Sequence, residues 1–304
     1  MADITITEGD TLEVDYSLEN TGDGTGTFDP RWLIDGVQED HDTGIALNPA
    51  QTATGTLQWP TESGDEVTDA LAEALTDDTS DSITVTVELG PPESAVSRYT
   101  FDNADTSGGN AIDTWGTNDA PITGATTGAA GANQNYTTNE SYSFDGGDDY
   151  VNIPDFFDPA TWGSYSVAVW LYTDVLDGES HRAIDFRANH VGGLNIKTSN
   201  DLRAWHRDSS GNTQEVAFSP TTNTWTHVVA TWDGSTLELY RDGTSVGTTS
   251  ASGTSSQGFA DTIGAFDAGP SDVWDGRLDD WRIYDKSLSS SEVSNLYNDG
   301  DIRG

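Results

Sequence analysis

The chain has 304 residues, and 52 Asp and Glu residues against 12 Lys and Arg residues give it a formal net charge of −40. This length predicts two domains, while a charge of this sign leaves no basic surface for nucleic acid and the absence of Cys excludes disulfides and Cys-ligated zinc. The N-terminal sequence MADITITEGD lacks the basic and apolar parts of a signal peptide, and no stretch approaches the ~20 apolar residues of a membrane span.

The acidic residues are spread evenly along the chain, and the chain also holds 10 Trp, 10 Tyr, 9 Phe and 32 Gly residues. An acidic composition usually indicates disorder, but this aromatic and glycine content is typical of short strands joined by tight turns. At molar salt the Debye length is only ~3 Å, so most of the self-repulsion is screened. The composition therefore predicts a folded all-β protein adapted to high salt.

Residues 1–90 are predicted to form antiparallel strands. Leu12, Val14, Tyr16 and Leu18 alternate with polar residues, which places them on one buried face. A turn is expected at 20–26, and further strands are expected at Trp32–Ile34, Ala53–Trp59 and Ile83–Leu89. In Asp65–Leu75 the apolar residues recur at helical spacing, so this stretch predicts a short helix; these residues are Val67, Ala70, Leu71, Ala74 and Leu75.

The same segment resembles the CARDB family of immunoglobulin-like adhesion modules. The resemblance rests on four stretches in order, which are Gly9-Asp10, residues 18–28 (LENTGDGTGTF), Ile34-Asp35-Gly36 and Leu47–Trp59. It implies an immunoglobulin-like β-sandwich that acts as a spacer or adhesion unit. The predicted helix departs from the family pattern. Residues 91–97, which begin with Pro91-Pro92, are expected to be an extended linker.

Residues 98–304 contain seven short motifs that favour a second β-sandwich. The motifs are Tyr99–Asp102, Tyr142–Val151, Tyr165–Leu171, Trp225–Gly234, Leu237–Gly243, Gly276–Tyr284 and Leu288–Tyr297. Asp233-Gly234 and Asp242-Gly243 predict hairpin turns, and Ser289 with Glu292 predicts a capping box that starts a short helix. The Thr- and Ser-rich runs at 123–141 and 244–258 predict loops or short polar strands. In this order the motifs resemble the laminin-G-like, concanavalin A-like jelly roll.

The strongest candidate for glycan binding is the stretch Leu202–Asp208. On a strand, Arg203, Trp205 and Arg207 share one face, and a Trp with nearby Arg and His side chains suits a sugar ring with acidic or sulfated groups. The predicted site is therefore Arg203, Trp205, His206 and Arg207, although ion pairing of the arginines with carboxylates and packing of the Trp on the sheet explain the same pattern. Trp115 and Trp274 are secondary candidates, whereas Trp170, Trp225 and Trp281 are expected in the core.

Calcium is the cofactor that the jelly-roll resemblance implies. Domains of this kind frequently hold a structural calcium between the opening strand and the late Leu-Asp-Asp segment. By position, this implies Asp102, Asn103 and Asp279 as oxygen ligands, with Asp113 as a further candidate. The sequence has no Asp-x-Asp-x-Asp-Gly loop, and in so acidic a chain solvated surface carboxylates explain the same residues.

Catalytic motifs are weak in this sequence. Gly243-Thr-Ser245-Val-Gly247 has the spacing of a nucleophile elbow but follows a hairpin pattern, where a strand-to-helix turn is required. Glu8, Asp10 and Glu13 have the spacing of a glucanase acidic triad but lie outside the predicted jelly roll. The sequence therefore favours binding over catalysis.

Three functions remain open. The first is a non-enzymatic virion surface protein of a haloarchaeal virus, such as a turret, spike or fibre component. The chain starts at Met1 without an export signal, which suits a virion protein assembled in the cytoplasm. The expected partners are its own copies in a trimer or pentamer, other virion proteins, and host glycans or the S-layer glycoprotein. The alternatives are a secreted or cell-surface haloarchaeal adhesin and the glycan-binding module of a carbohydrate-active enzyme.

Overall fold

The computed structural model describes residues 4–7, 11–21, 23–34, 37–60, 67–75, 80–88, 92, 94–132, 139–267, 271–300 and 302. The chain divides into two compact units, residues 1–91 and residues 92–304. Both units are built almost entirely from β-strands, which confirms the predicted all-β class.

The first unit contains nine strands in its described part. These are β1 (Ile4–Thr7), β2 (Thr11–Glu19), β3 (Gly26–Phe28), β4 (Arg31–Ile34), β5 (Val37–His41), β6 (Ile45–Leu47), β7 (Thr52–Pro60), β8 (Val67–Leu75) and β9 (Ser80–Glu88). One sheet has the order β1-β9-β8-β4-β5, while β2 pairs with β7 and β3 pairs with β6. The β1–β9 pair is parallel, and the other pairs are antiparallel.

The strands predicted from alternation in this unit are confirmed. The alternating stretch forms β2 and pairs with β7 over its whole length, from Thr11 opposite Pro60 to Glu19 opposite Thr52. The Asn-x-Gly turn that follows is held by Asn20, whose Nδ2 donates to the carbonyl oxygens of Gly24 and Leu47, each at 2.7 Å. A short amide side chain that bonds the nearby backbone explains why the sequence turns at this point.

The predicted helix at Asp65–Leu75 is wrong, because Val67–Leu75 forms strand β8. This strand lies inside its sheet, where Ala72 faces Ile34 of β4 on one side and Ile83 of β9 on the other. A helix here would leave the facing edges of both neighbours without their ladder hydrogen bonds. Pairing on two sides therefore outweighs the helical spacing and the helix propensity of Ala and Leu.

The second unit contains seventeen strands and two short helices in its described part. These are β10 (Ala95–Tyr99), β11 (Thr106–Ser107), β12 (Asn110–Ala111), β13 (Ala120–Thr123), β14 (Thr126–Ala130), β15 (Glu140–Asp145), β16 (Tyr150–Ile153), α1 (Pro159–Trp162), β17 (Tyr165–Thr173), β18 (His181–Phe186), β19 (Gly192–Ile196), β20 (Leu202–Arg207), β21 (Thr213–Phe218), β22 (Trp225–Trp232), β23 (Thr236–Arg241), β24 (Thr244–Ser250), β25 (Asp261–Ile263), β26 (Asp275–Tyr284) and α2 (Ser290–Asp299).

These strands form two sheets. The eight-stranded sheet has the order β14-β15-β26-β17-β22-β23-β24, with β10 also paired to β26, and the nine-stranded sheet has the order β11-β12-β13-β16-β25-β18-β19-β20-β21. The sequence alternates accordingly: Val167, Val169 and Leu171 of β17 enter the shared core, whereas Ala168 belongs to a second apolar cluster that includes Val293 and Leu296 of α2. Because successive side chains of a strand point to opposite faces, α2 covers the outer face of the eight-stranded sheet.

Local signals in this unit largely match the structure. Asp242 and Gly243 both have positive φ, at 48° and 75°, as the tight turn between β23 and β24 requires. Ser289 caps α2 in the predicted box with Glu292. The polar runs form β14 and β24, and β10 begins at Ala95, inside the segment expected to be linker. Ser245 lies within β24 and donates to Glu238 Oε1 at 2.5 Å, so it does not stand at a nucleophile elbow.

Candidate functional site

Four arginines line one cleft on the nine-stranded sheet. Leu202 and Ala204 of β20 are buried in the core between the sheets, so Arg203, Trp205 and Arg207 share the opposite face, as predicted. The cleft has a volume of about 370 Å³ and is named here the arginine cleft; its lining residues are Arg182, Arg187, Val191, Arg203, Trp205, Arg207, Gly211, Thr213 and Glu215. It gathers four of the twelve Lys and Arg residues of a strongly acidic chain.

Trp205 forms a platform for the guanidinium groups. The Cζ atoms of Arg182, Arg187 and Arg203 lie 5.5, 4.9 and 5.4 Å from its ring centre. Phe266 lies 5.1 Å from Arg182 Cζ and 4.7 Å from Arg187 Cζ, so these two arginines contact two aromatic rings. Each such cation–π contact contributes about 0.5–2 kcal/mol, depending on how far it is desolvated. Because only 5% of Trp205 is exposed, its ring orients the arginines and is not available for stacking on a sugar.

Carboxylates hold most of these cations in place. The fully buried Asp185 accepts from Arg182 Nη1 at 3.1 Å and from Arg187 Nε at 3.0 Å. Glu215 accepts from Arg203 Nη1 and, at 2.6 Å, from Lys197 Nζ. Burial raises the pKa of Asp185 above its ordinary value, and the charges of the two arginines oppose that rise. The pairs fix the guanidinium planes, which is the condition for recognising a planar anion.

Arg207 is the cation with a free charge at the mouth of the cleft. Its Nε donates to the carbonyl of Gly211 at 2.9 Å, within the hairpin loop between β20 and β21. Asp208 shapes this loop by accepting from the amides of Ser210 and Asn212, each at 2.9 Å. Among the residues that the structure describes, no carboxylate pairs with Arg207. Its Nε is therefore held by the backbone, and no carboxylate of the described chain neutralises its charge.

His206 does not join this cleft, which corrects its predicted place in the glycan site. As the neighbour of Trp205 and Arg207 on a strand, it points to the opposite face and is fully buried. Its Nε2 lies 2.7 Å from the carbonyl oxygen of Gly253, and its ring centre is 4.6 Å from that of His190. The two histidines thus form an interior pair.

We expect this pair to make the protein acid-sensitive. Burial, followed by the charge of His206, lowers the pKa of His190 well below 6.5, and burial lowers the pKa of His206. Below pH ~6.5 the unfolded chain therefore takes up protons that the folded chain does not, and stability is lost as the pH falls. Thermal melts between pH 7.5 and 5 should show a shallower pH dependence of the melting temperature for His206→Gln, because this variant has one buried titrating group fewer. Gln also keeps a donor for the carbonyl oxygen of Gly253, so the local contact is retained.

Carboxylate protonation acts on both proteins in that comparison, so only the difference between them reports the histidine pair. Identical slopes for the wild-type chain and His206→Gln would contradict this prediction.

Two of the predicted calcium ligands are buried and interact electrostatically. Asp102 and Asp279 are both buried, and their mutual repulsion is one cause of a raised pKa at Asp279. Burial is the main cause and, with the negative charges of Asp280 and Asp102, raises this pKa to about 8. Asp279 Oδ2 accepts from Ala132 N at 2.8 Å, while Oδ1 has no hydrogen-bond partner among the described residues. A buried carboxylate with an unused oxygen and other negative charges nearby fits a hard cation.

Two other calcium candidates are engaged elsewhere. Asn103 is exposed, and both its backbone N and its Nδ2 donate to Glu140, at 2.7 and 3.3 Å. Asp113 accepts from the amides of Arg98, Trp115 and Asn118 and from Asn118 Nδ2. These four hydrogen bonds use both oxygens of the Asp113 carboxylate to hold its loop. A separate carboxylate cluster, Asp145, Asp148 and Asp149, has oxygens within 4.8 Å of one another.

The secondary tryptophan candidates are structural. Trp274 is fully buried, as are Trp170 and Trp281, whereas Trp225 is only partly buried. Trp115 packs against Tyr284 on the outer face of the eight-stranded sheet. Sequence reasoning missed Arg182 and Arg187, which lie two strands away from Arg203 in the sheet. Two arginines flanking an aspartate in the strand motif Arg182-x-x-Asp185-x-Arg187 were the available signal.

In the described part of the chain, neither helix is long or apolar enough to cross a membrane. Among curated proteins, none matches this chain. Residues 145–294 match the family model Laminin_G_3, described as the concanavalin A-like lectin/glucanases superfamily.

Several solved structures share the fold. The binding domain of Paraclostridial Mosquitocidal Protein 1 matches at 16% identity with a TM-score of 0.52, over 64% of this chain and 50% of that one. The receptor binding domain of botulinum neurotoxin mosaic serotype C/D matches at 14% identity with a TM-score of 0.51, over 67% and 50%. Domain 4 of AbnA, an extracellular arabinanase of Geobacillus stearothermophilus solved with arabinotriose, matches at 19% identity with a TM-score of 0.50, over 67% and 98%.

The chain thus spans half the length of the two toxin domains, and at these identities the likeness shows the fold alone. The two-sheet architecture and the family match agree on the same part of the chain. Residues 145–294 match the Laminin_G_3 family model, and the second unit, which contains them, has a jelly roll of the concanavalin A-like type.

Proposed function

We propose that the second unit is a non-catalytic, lectin-like binding module whose arginine cleft binds an acidic glycan. The observation that carries this proposal is the convergence of four arginines in one cleft, three of them on Trp205, in a chain with a net charge of −40. Related folds in a toxin receptor-binding domain and an arabinotriose-bound arabinanase domain support a binding role.

The chemistry of the cleft selects for a planar or multidentate anion. A guanidinium group presents a rigid fork of donors that matches a carboxylate or a sulfate. At molar salt the Debye length is ~3 Å, so a charged side chain attracts a charged ligand only when the two are in direct contact. The pre-oriented Arg203 and the unpaired Arg207 meet this condition, whereas the distant surface acids no longer repel an anionic ligand.

The test is a glycan array in molar KCl that carries uronate, sialylated and sulfated glycans beside their neutral parents. We expect the acidic members alone to bind through this cleft. Arg207→Ala should weaken their binding about tenfold or more, since a lost charge-assisted hydrogen bond costs about 1.5–3 kcal/mol.

Arg241→Ala is the matched control, because Arg241 lies outside the cleft on β23 and pairs with its neighbour Asp242. Its binding should equal that of the wild type. Loss of binding in both variants, or in neither, would refute the arginine cleft as the glycan site.

We further propose that Asp102 and Asp279 hold a structural calcium ion. The unused buried oxygen of Asp279 supports this, and the bound ion would offset the repulsion between the two carboxylates, which the charge of Arg98 only partly opposes at Asp279. Asn103 follows Asp102 in the chain and donates to Glu140, so it would contribute no ligand oxygen of its own.

We propose as the carrier of this module a virion surface protein of a haloarchaeal virus, with the first unit as a CARDB-like stalk. The acidic composition and the binding-type fold support this assignment and also suit a secreted or cell-surface haloarchaeal adhesin. Homo-oligomers of three or five copies would let weak sugar contacts add up. Antibodies against the chain, applied to purified virions and to cell envelopes, separate the two carriers.

A further inference from the structure

Residues 252–258, between β24 and β25, form a surface loop that is bound to two buried histidines. It is named here the tethered loop. The carbonyl oxygen of Gly253 accepts from His206 Nε2 at 2.7 Å, and the hydroxyl oxygen of Thr254 lies 2.6 Å from His190 Nδ1. Both imidazoles are fully buried, so two neighbouring residues of an outer loop depend on groups in the interior.

Tyr165 joins the two histidines and completes a ring of hydrogen bonds. Its hydroxyl oxygen lies 3.4 Å from His190 Nε2 and 3.4 Å from His206 Nδ1. Because the carbonyl oxygen at the loop only accepts, His206 carries its hydrogen on Nε2, and its Nδ1 accepts from the Tyr165 hydroxyl. The Tyr165 oxygen then accepts from His190 Nε2, and His190 Nδ1 accepts from the Thr254 hydroxyl. Both imidazoles are therefore neutral, and each of their nitrogens has one partner.

The ring has no site for a further proton. A second hydrogen on His206 would point at the Tyr165 oxygen and leave the Tyr165 hydroxyl hydrogen without an acceptor. A second hydrogen on His190 would meet the hydroxyl hydrogen of Thr254, which would have to turn away. Each buried donor left unpaired is costly, so the closed loop is compatible only with two neutral histidines.

The surroundings of the pair also oppose protonation while the loop is closed. Burial is the main cause that lowers the pKa of both histidines, and the charges of His206 and Arg187 lower that of His190 further. A hydrogen bond to the backbone and the charge of Asp208 act the other way at His206. Tyr165 keeps its proton, because burial raises its pKa. Both histidines are therefore expected to take up protons only after water reaches them.

The tethered loop can open without exposing the core. Its sequence, Ser-Gly-Thr-Ser-Ser-Gln-Gly, contains no apolar side chain, and none of its residues is buried. Local opening is cheapest where few apolar contacts are lost. Opening the loop would give water access to His190 and His206 while the strands on either side stay paired.

The same loop contacts two arginines of the arginine cleft. Gln257 Oε1 accepts from Arg187 Nη1 at 2.6 Å, and the Gln257 amide donates to the carbonyl oxygen of Arg187 at 3.1 Å. Ser255 Oγ donates to the carbonyl oxygen of Arg207 at 3.3 Å. An open loop therefore removes one of the acceptors that orient Arg187 and a contact at the end of β20.

From this arrangement we propose that the tethered loop is released by acid: His190 and His206 each take up a proton, residues 252–258 open, and the arginine cleft loses affinity for its anion. The release depends on the ring of hydrogen bonds alone, whereas its effect on the cleft rests on the proposed function.

Hydrogen exchange measured by mass spectrometry in molar KCl tests the release. An exposed histidine has a pKa of about 6.5, so the uptake of two protons should raise the opening constant of the tethered loop roughly 60-fold between pH 6 and pH 5. His206→Gln leaves one titrating group and should reduce this factor to roughly eightfold. The amides of β17 and β22 should stay at least about tenfold more protected than the loop at each pH, because the opening is local.

Thr254→Val tests the tether from the side of the loop. It removes the hydroxyl bound to His190 but neither histidine, so it should raise the opening constant at pH 7 about fivefold and keep the pH dependence of the wild type. Ser256→Ala is the matched control, because Ser256 is exposed in the same loop, and it should behave like the wild type.

A titration with galactose 6-sulfate, whose sulfate stays ionised at pH 5, tests the effect on the cleft. Its affinity should fall about threefold or more from pH 7 to the pH at which exchange reports an open loop. An opening constant that does not change with pH, equal protection of the loop and β17, or equal factors for the wild type and His206→Gln would overturn the acid release.

An unchanged affinity for the sulfated sugar while the loop is open would overturn the coupling to the cleft. If this sugar does not bind even at pH 7, the proposed function fails at this ligand, and the exchange measurements still decide the release. The two failures are therefore distinguishable.

Discussion

We expect the protein to unfold completely at 25 °C when it is dialysed from molar KCl into about 50 mM salt. A net charge of −40 opposes compaction, and lowering the salt extends the Debye length from ~3 Å to more than 10 Å. Repulsion between neighbouring carboxylates then adds up over the surface. Since a folded domain is stable by only about 5–15 kcal/mol, this sum is sufficient to unfold it.

Repulsion between carboxylates contributes to raised pKa values among the aspartates near β15, β17 and β26. Burial and the charges of Asp145 and Asp148 raise the pKa of Asp149, although the Asp145 amide opposes the rise. Burial and the charge of Asp174 are the leading causes of the raised pKa of Asp275. Because their like charges already raise these pKa values, we expect salt screening to stabilise this group of carboxylates.

A pair of variants tests the cause. Asp148→Asn removes one charge from the aspartate cluster and should lower the KCl concentration at the midpoint of unfolding. Glu292→Gln also removes one negative charge, but it breaks the ion pair with Lys286 while keeping the capping box; its midpoint should rise. Circular dichroism during KCl titration measures both. An unchanged melt at ~50 mM salt would rule out the dependence on screening, and equal shifts would mean that the site of the charge does not matter.

The sequence predicted those parts of the fold that depend on local rules. The alternation of Leu12 to Leu18 was sufficient for β2, and Ser289 with Glu292 was sufficient for the start of α2. The helix predicted at Asp65–Leu75 was wrong because Val67–Leu75 pairs with a strand on each side. Those strands are distant in the sequence, so a local window does not contain them. The same limit explains why Arg203 and Arg207 were found while Arg182 on β18 and Arg187 just after it were missed.

Strand alternation also decided which site residues belong together. Arg203, Trp205 and Arg207 share a face as expected, but His206 between them faces the core. The role of Trp205 changed for a different reason: Arg182 and Arg187, which lie two strands away in the sheet, cover its ring, and that cover depends on sheet order. Sequence alone could place the aromatic side chain on a face but could not show what lies above it.

Calcium should stabilise the folded chain in molar KCl. At about a hundred times its dissociation constant, a bound ion adds about 2.7 kcal/mol, and the melting temperature of a unit of this size should rise by roughly 5–10 °C. Asp279→Asn should abolish the rise, because it removes one of the two proposed carboxylate ligands while keeping an oxygen for the amide of Ala132. Melts with calcium and with a chelator measure the effect.

Asp148→Asn is the control that locates the ion. The cluster of Asp145, Asp148 and Asp149 is the other candidate, because one oxygen of each carboxylate lies within 4.8 Å of the others. If calcium acts at Asp102 and Asp279, the rise in melting temperature persists in Asp148→Asn and disappears in Asp279→Asn. The opposite pattern would place the ion at the cluster of Asp145, Asp148 and Asp149. Asp279 would then be a buried carboxylic acid without a metal ion, and a chelator would not change its contribution to the melting temperature. Magnesium should stabilise less than calcium in either case, because it gives up its water shell reluctantly and demands a stricter geometry.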